Sequence, residues 1–221
     1  MGDMHRQGEM TIPAGPFAAW LRAARAALRG EAGMDVPCGD CTGCCTSGYS
    51  IQLRPADTLA LAAVPPHWLV ESAGFAPGQQ TLAPRSDGTC RMLEAGRCTI
   101  YAQRPQTCLD YDCRVFAAAG IDAGGADKAV INRRVREWRF DYPSGDDRRA
   151  HDAVRAAAAF IRRAGDGAAG IRLPTSPMGI AVLALKVSEV FLDPARATLD
   201  DAALGRELVE AAREFDRGSG A

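Results

Sequence analysis

Cys38-Gly-Asp-Cys41-Thr-Gly-Cys44-Cys45 places four thiols within eight residues, and its reading governs the rest of the chain. Four more cysteines follow at Cys90, Cys98, Cys108 and Cys113, and none occurs in the remainder of the 221 residues. Cysteines at x-x spacing bring their sulfurs onto one tight turn, close enough to share a soft metal ion or an iron–sulfur cluster. Packing has no reason to prefer Cys-x2-Cys-x2-Cys-Cys. The set Cys38, Cys41, Cys44, Cys45, Cys90, Cys98, Cys108 and Cys113 therefore reads as metal ligands. Eight thiolates supply two four-ligand sites, or one site with spare thiols. In extended chain Cys44 and Cys45 point apart, so they are expected to serve neighbouring metals, or one of them to be simply buried. Cys108 and Cys113 face different sites on a continuous helix, and share one only where that helix breaks.

Composition narrows the function classes. A formal net charge of −1 provides no global field toward nucleic acid or an anionic membrane. Arg133, Arg134, Arg136 and Arg139 form a local basic strip, read as a solvated helix face. The N-terminal MGDMHRQGEM lacks the apolar core of a secretory signal, and the longest apolar run, Gly179 to Leu185, is too short to span a bilayer. The expectation is a cytoplasmic protein with an unspecified protein or small-molecule partner, and with neither nucleic acid nor membrane as partner. In a reducing compartment, clustered cysteines argue for metal and against a disulfide framework.

The apolar pattern predicts an α+β fold, mostly helical, with little sheet. Residues 1–16 read as a flexible tail, 17–120 as a cysteine-cluster metal-binding region with an N-terminal helix, and 121–221 as a helical region packed on it in one shared core. Phe17, Trp20, Leu21, Ala24 and Leu28 fall on one face of a helix over 17–29. Ile51 to Arg54 alternates like a strand, and Asp57 is placed to cap a short helix through Val64, stopped by Pro65-Pro66. Residues 90–93 and 97–101 read as hairpin arms carrying one cysteine each. Arg104-Pro105 opens a helix that carries Cys108 and extends to Gly120. Beyond Ile121 only helices are expected. Ile131, Val135 and Trp138 mark one, and Asp147 caps a second with Val154, Phe160 and Ile161 in its core face. Ser176-Pro177 starts a third, and Leu204, Leu208 and Phe215 mark the last.

Cys38-x2-Cys41-x2-Cys44-Cys45, Cys90, Cys98-Thr-Ile-Tyr101 and Arg104-Pro105-x2-Cys108 together resemble the YkgJ-type cysteine-cluster proteins. That family is described as zinc- or iron-chelating, and in places as iron–sulfur-cluster-containing. The resemblance covers Val36 to Phe116, and its ordered motifs imply a metal more firmly than a reaction. Between the cofactors, Cys38-Gly-Asp-Cys41 has the shape of a zinc knuckle, whereas the Cys-x2-Cys-x2-Cys run is reminiscent of ferredoxin ligation; iron–sulfur is placed ahead of zinc. Arg91, Arg97, Arg104 and Arg114 are near in sequence to offset thiolate charge.

Other chemistry is not apparent. His5, His67 and His151 stand far apart, and no nucleotide loop, nucleophile elbow or His-Glu-x-x-His motif occurs. The primary reading is a metal-binding protein with a redox or sensing role. The cysteine motif also resembles that of flagellin lysine N-methylases, which implies a protein-modifying enzyme as one alternative; a zinc-stapled interaction module is another.

Overall fold

Alternating apolar spacing at 3.6 residues decides most of the architecture. A computed structural model describes residues 11–34, 36, 38–71, 77–165 and 172–218. Eight helices of varied length and seven short strands occur among these, in the order β1 Ile12–Pro16, α1 Phe17–Leu28, β2 Ile51–Leu53, α2 Thr58–Ala63, β3 Leu69–Glu71, β4 Gln80–Leu82, β5 Leu93–Glu94, β6 Arg97–Cys98, α3 Gln106–Asp110, α4 Arg114–Ala119, α5 Ala129–Glu137, β7 Trp138–Asp141, α6 Gly145–Ala164, α7 Pro177–Val187 and α8 Asp201–Arg217. The mostly helical α+β class is as expected. Strands order as β2-β4-β3, with antiparallel β5-β6 and parallel β1-β7 pairs besides.

Two elements correct the reading of the sequence. Residues 12–16, expected within the tail, form β1 and pair in parallel with β7; residues 1–10 of that tail, His5 among them, lie outside the described residues. Trp138, expected on a helix stripe, instead opens β7. Neither strand carries a long period-2 pattern, and each exists because the other is beside it. A register shift between Pro13 and Gly15 accommodates the bulge, with Gly15 at φ +83°, a conformation that side-chain-bearing residues rarely adopt.

Long-range caps tie the helices together. Pro16 precedes α1 and offers no side-chain cap, but the Asp147 carboxylate on α6 accepts from the Ala18 amide at 2.8 Å. Ser144 rather than Asp147 is the N-cap of α6: Asp147 sits at the third helical position and closes a capping box with Ser144. Ser176 caps α7 with Pro177 next, as expected.

Two apolar clusters result. The larger joins β1, α1, α4 and α5–α8 through Phe17, Phe116, Val154, Ile161, Leu185 and Leu208, all essentially solvent-free. Each such side chain contributes about 1.5–3 kcal/mol by leaving water. A smaller cluster of Leu53, Ala60, Val64, Leu82, Met92 and Ile100 holds the three-stranded sheet, α2 and the hairpin.

Candidate metal centre

Glycine and short turns shape the cysteine loop. Gly39 at φ +57° turns the chain so that the Cys41 amide donates to the Cys38 carbonyl at 2.9 Å. Gly43 then passes so close to α5 that an added Cβ would meet Ile131 Cγ1 at 3.3 Å. Its amide donates to Cys41 Sγ at 3.4 Å. Cys44–Thr46 form one 3-10 turn rather than extended chain. This corrects the expectation that Cys44 and Cys45 point apart, because their sulfurs lie 3.9 Å from each other.

The remaining cysteines arrive from three directions. The Cys90 amide donates to the Cys45 carbonyl at 2.6 Å, which fastens the hairpin approach to the loop. Cys98 lies in β6, opposite Leu93 of β5. Cys108 is on α3, and Cys113 is the residue before α4. The helix expected over 104–120 breaks at Tyr111–Cys113, with Pro105 preceding α3 as its cap rather than filling its first position. Beyond the break the two thiols keep different company: Cys108 lies near Cys44, Cys90 and Cys98, and Cys113 near Cys38 and Cys41.

All eight cysteines are free thiols and all are partly buried. All eight line one cavity of about 810 Å³ between the cysteine segment and helices α5 and α7. Cys38 and Cys113 pack against the larger apolar cluster, whereas Cys90 and Cys98 pack against the smaller, so the cavity is where the two meet. Among the described residues no three His, Cys, Asp or Glu side chains converge closely enough to hold a metal ion. The donors therefore fit a soft metal by identity and by facing one space, and ligation requires the cavity walls to draw together on the metal.

Burial controls the thiol chemistry. It pushes Cys38 up to about 11 and Cys108 up to about 12, and raises Cys90 as well. Contact with Cys45, then burial, raises Cys44. Cys113 is pushed up to about 12 by burial, against which the indole of Trp138 works. A bound cation supplies the stabilisation that such thiols need to release their protons.

The basic residues around the site differ from those the sequence suggested. Arg97 and Arg104 line the cavity. Arg91 instead donates to the Ala83 carbonyl and lies 5.9 Å from the Trp68 ring, while Arg114 is buried against Asp112. Arg134, expected on a solvated face, lines the cavity that Cys41 also lines. Burial works against its charge, yet Cys41, Glu137 at 3.3 Å and Asp40 at 3.6 Å hold its pKa above the ordinary value. Arg136 does remain exposed, paired with Asp122. Spacing along α5 would have placed Arg134 beside Ile131, one turn away; nothing local indicated that this face meets the cysteine loop.

Asp112 is a structural anchor rather than a ligand. It is 3% exposed, accepts from Trp20 Nε1 at 2.8 Å and from the Arg114 amide at 2.8 Å, and pairs with Arg114 Nε at 2.9 Å. Asp110 accepts from Gln106 Nε2 at 2.6 Å. His67 packs edge-on to Trp68, and His151 is buried among Phe17, Phe140 and Tyr142. Neither histidine lines the cysteine cavity.

Residues 37–123 match the CxxCxxCC family model, described as "Putative zinc- or iron-chelating domain". The match supports metal binding by the segment that contains all eight cysteines. No curated protein and no solved structure matches the chain. Among the described residues no helix is long and apolar enough to cross a membrane.

Proposed function

We propose, from the CxxCxxCC domain at residues 37–123, that this protein holds a thiolate-ligated metal centre in the cavity between its cysteine segment and its helical half. The ligands are Cys38, Cys41, Cys44, Cys45, Cys90, Cys98, Cys108 and Cys113. The observation that carries this reading is that all eight face one cavity of about 810 Å³. Structural zinc sites are closed knots of four converging ligands. A shared space of this size better suits a centre that brings bulk of its own, and we place an iron–sulfur cluster ahead of zinc. Such a centre supplies one-electron chemistry when bound. The chain's own residues set its surroundings: Arg97, Arg104 and Arg134 offset thiolate charge, and Met92, Ile100 and Ile131 keep part of the wall apolar. The redox or sensing role is assigned to the bound cluster rather than to free thiols, because burial keeps Cys38, Cys90, Cys108 and Cys113 protonated without a metal.

Purification without oxygen, followed by iron, zinc and acid-labile sulfide analysis, tests this. Brown protein with iron and sulfide, bleached by air, is the expected result. Colourless protein with stoichiometric zinc would replace the redox role by a structural one. Metal-free protein with paired disulfides would remove the metal centre altogether.

A further inference from the structure

Metal-site cysteines depend on the groups that hydrogen-bond to their sulfurs, because such donors orient the ligand and take up part of its charge. Trp138 does so by a hydrogen bond and Arg134 faces the sulfurs as a positive charge, and both come from residues 129–141, beyond the segment 37–123 that matches the chelating domain. Trp138 Nε1 donates to Cys113 Sγ at 3.3 Å. Arg134 lines the same cavity as Cys41, and the Cys41 sulfur is among the groups that favour its positive charge.

Neither side chain is otherwise free. Trp138 is 4% exposed, and its residue pairs with Ile12 at the start of the β1-β7 ladder. The Arg114 guanidinium lies 5.7 Å from its ring centroid. Arg134 has a side chain 17% exposed, and Asp40 and Glu137 flank its guanidinium. The Cys41 sulfur takes the Gly43 amide, with the Arg134 charge on the same cavity wall. Trp138 belongs to the larger apolar cluster, against which Cys38 and Cys113 pack.

We propose that Arg134 and Trp138 are positioning residues of the metal centre, and that the α5–β7 segment forms a second wall which fastens the Cys38, Cys41 and Cys113 side of it. The proposal rests on the metal-binding reading above. A donor or facing positive charge removed from a ligating sulfur leaves that sulfur more electron-rich and less well oriented. Metal then leaves faster, and sulfur-to-metal charge transfer moves to lower energy.

Cobalt(II) loaded into the full chain under anaerobic conditions provides the probe, since its thiolate charge-transfer band reports sulfur ligation directly. Trp138→Phe retains the buried ring and loses the N–H; Arg134→Met retains length and loses the charge. Each should release cobalt to a chelator about 10-fold or more faster than the parent, with the band shifted to the red and the far-ultraviolet circular dichroism unchanged. Arg134→Lys, which keeps the charge, should recover most of the retention. Arg136→Met, on the same helix but paired with Asp122, should behave as the parent. Parental release rates and an unshifted band in both Trp138→Phe and Arg134→Met would overturn the proposal while leaving the metal centre intact. If Trp138→Phe fails to fold, the Arg134 pair decides: equal loss in Arg134→Met and Arg134→Lys overturns the charge role. A parent chain that gives no thiolate band with cobalt overturns this proposal, and one that also carries neither iron nor zinc when purified without oxygen overturns the metal-binding reading.

Discussion

Trp20 Nε1 on α1 donates to Asp112 Oδ2 across 2.8 Å, joining residues 92 apart in the chain next to the last cysteine. The next residue, Cys113, takes the N–H of Trp138, so two indoles from separate elements grip consecutive positions. The loop that carries the last cysteine is thus held by the helical half, through groups that leave water only when both halves are assembled. Asp112 and Arg114 form an ion pair with side chains 2% and 10% exposed, so each is the other's main compensation.

Trp20→Phe is therefore expected to cost about 1.5–3 kcal/mol, the range for a hydrogen bond to a charged acceptor. Asp112→Ala should cost more, about 3–5 kcal/mol, because it leaves Arg114 buried without its carboxylate. Urea unfolding of both variants measures the order; a milder effect for Asp112→Ala would contradict the anchor role.

His151 makes stability depend on pH. Tyr142 Oη lies 2.6 Å from its Nδ1, the Ala118 carbonyl 3.1 Å from its Nε2, and the Phe17 ring stacks at 4.3 Å. Burial, and then the Arg155 charge, lower its pKa below the ordinary 6.5, against smaller opposite effects of the Ala118 carbonyl and Asp152. The unfolded chain binds the proton more readily, so this contribution is complete above pH 6.5 and is lost as pH falls through the lowered value. The urea midpoint should drop more between pH 7.5 and 5 in the parent than in His151→Gln. Parallel drops would refute the assignment.

Replacing Cys41 or Cys98 by Ser is expected to lower metal content and open the cysteine segment to protease, since that segment has a small apolar cluster and two-residue hairpin strands. Full metal loading and an unchanged melting point in both variants would argue that these thiols are packing residues.

Gly39 tests the loop without touching a sulfur. At φ +57° with no atom within 4 Å of an added Cβ, it has space for a side chain but not the backbone preference. Gly39→Ala should cost about 1–2 kcal/mol from left-handed strain alone, and Gly39→Asn less. Equal urea midpoints for Gly39, Ala and Asn would show that the turn is not held in this conformation.

The helices α1, α6, α7 and α8 were legible because their apolar residues repeat at 3.6 and their ends carry proline, serine or a change of period. Cys98 on one arm of a hairpin was legible for a similar reason, from a turn signal between two short runs. β1 and β7 were not, because Pro13, Gly15 and Pro16 argue locally against a strand, and only the parallel partner satisfies that backbone.

The same division holds at the metal centre. Local sequence settled which atoms are available, since eight thiols at those spacings have one common chemistry wherever the chain takes them. It also determined the tight turn at Cys38–Cys41, a matter of local backbone and Gly39. Long-range packing brings all eight to one cavity, sets the Cys44 and Cys45 sulfurs 3.9 Å apart, and places Trp138 on the Cys113 sulfur and Arg134 in the wall beside Cys41. Those relations join residues up to 93 positions apart, as Arg134 is from Cys41. No local periodicity encodes them, because they arise where two separate apolar clusters close against each other.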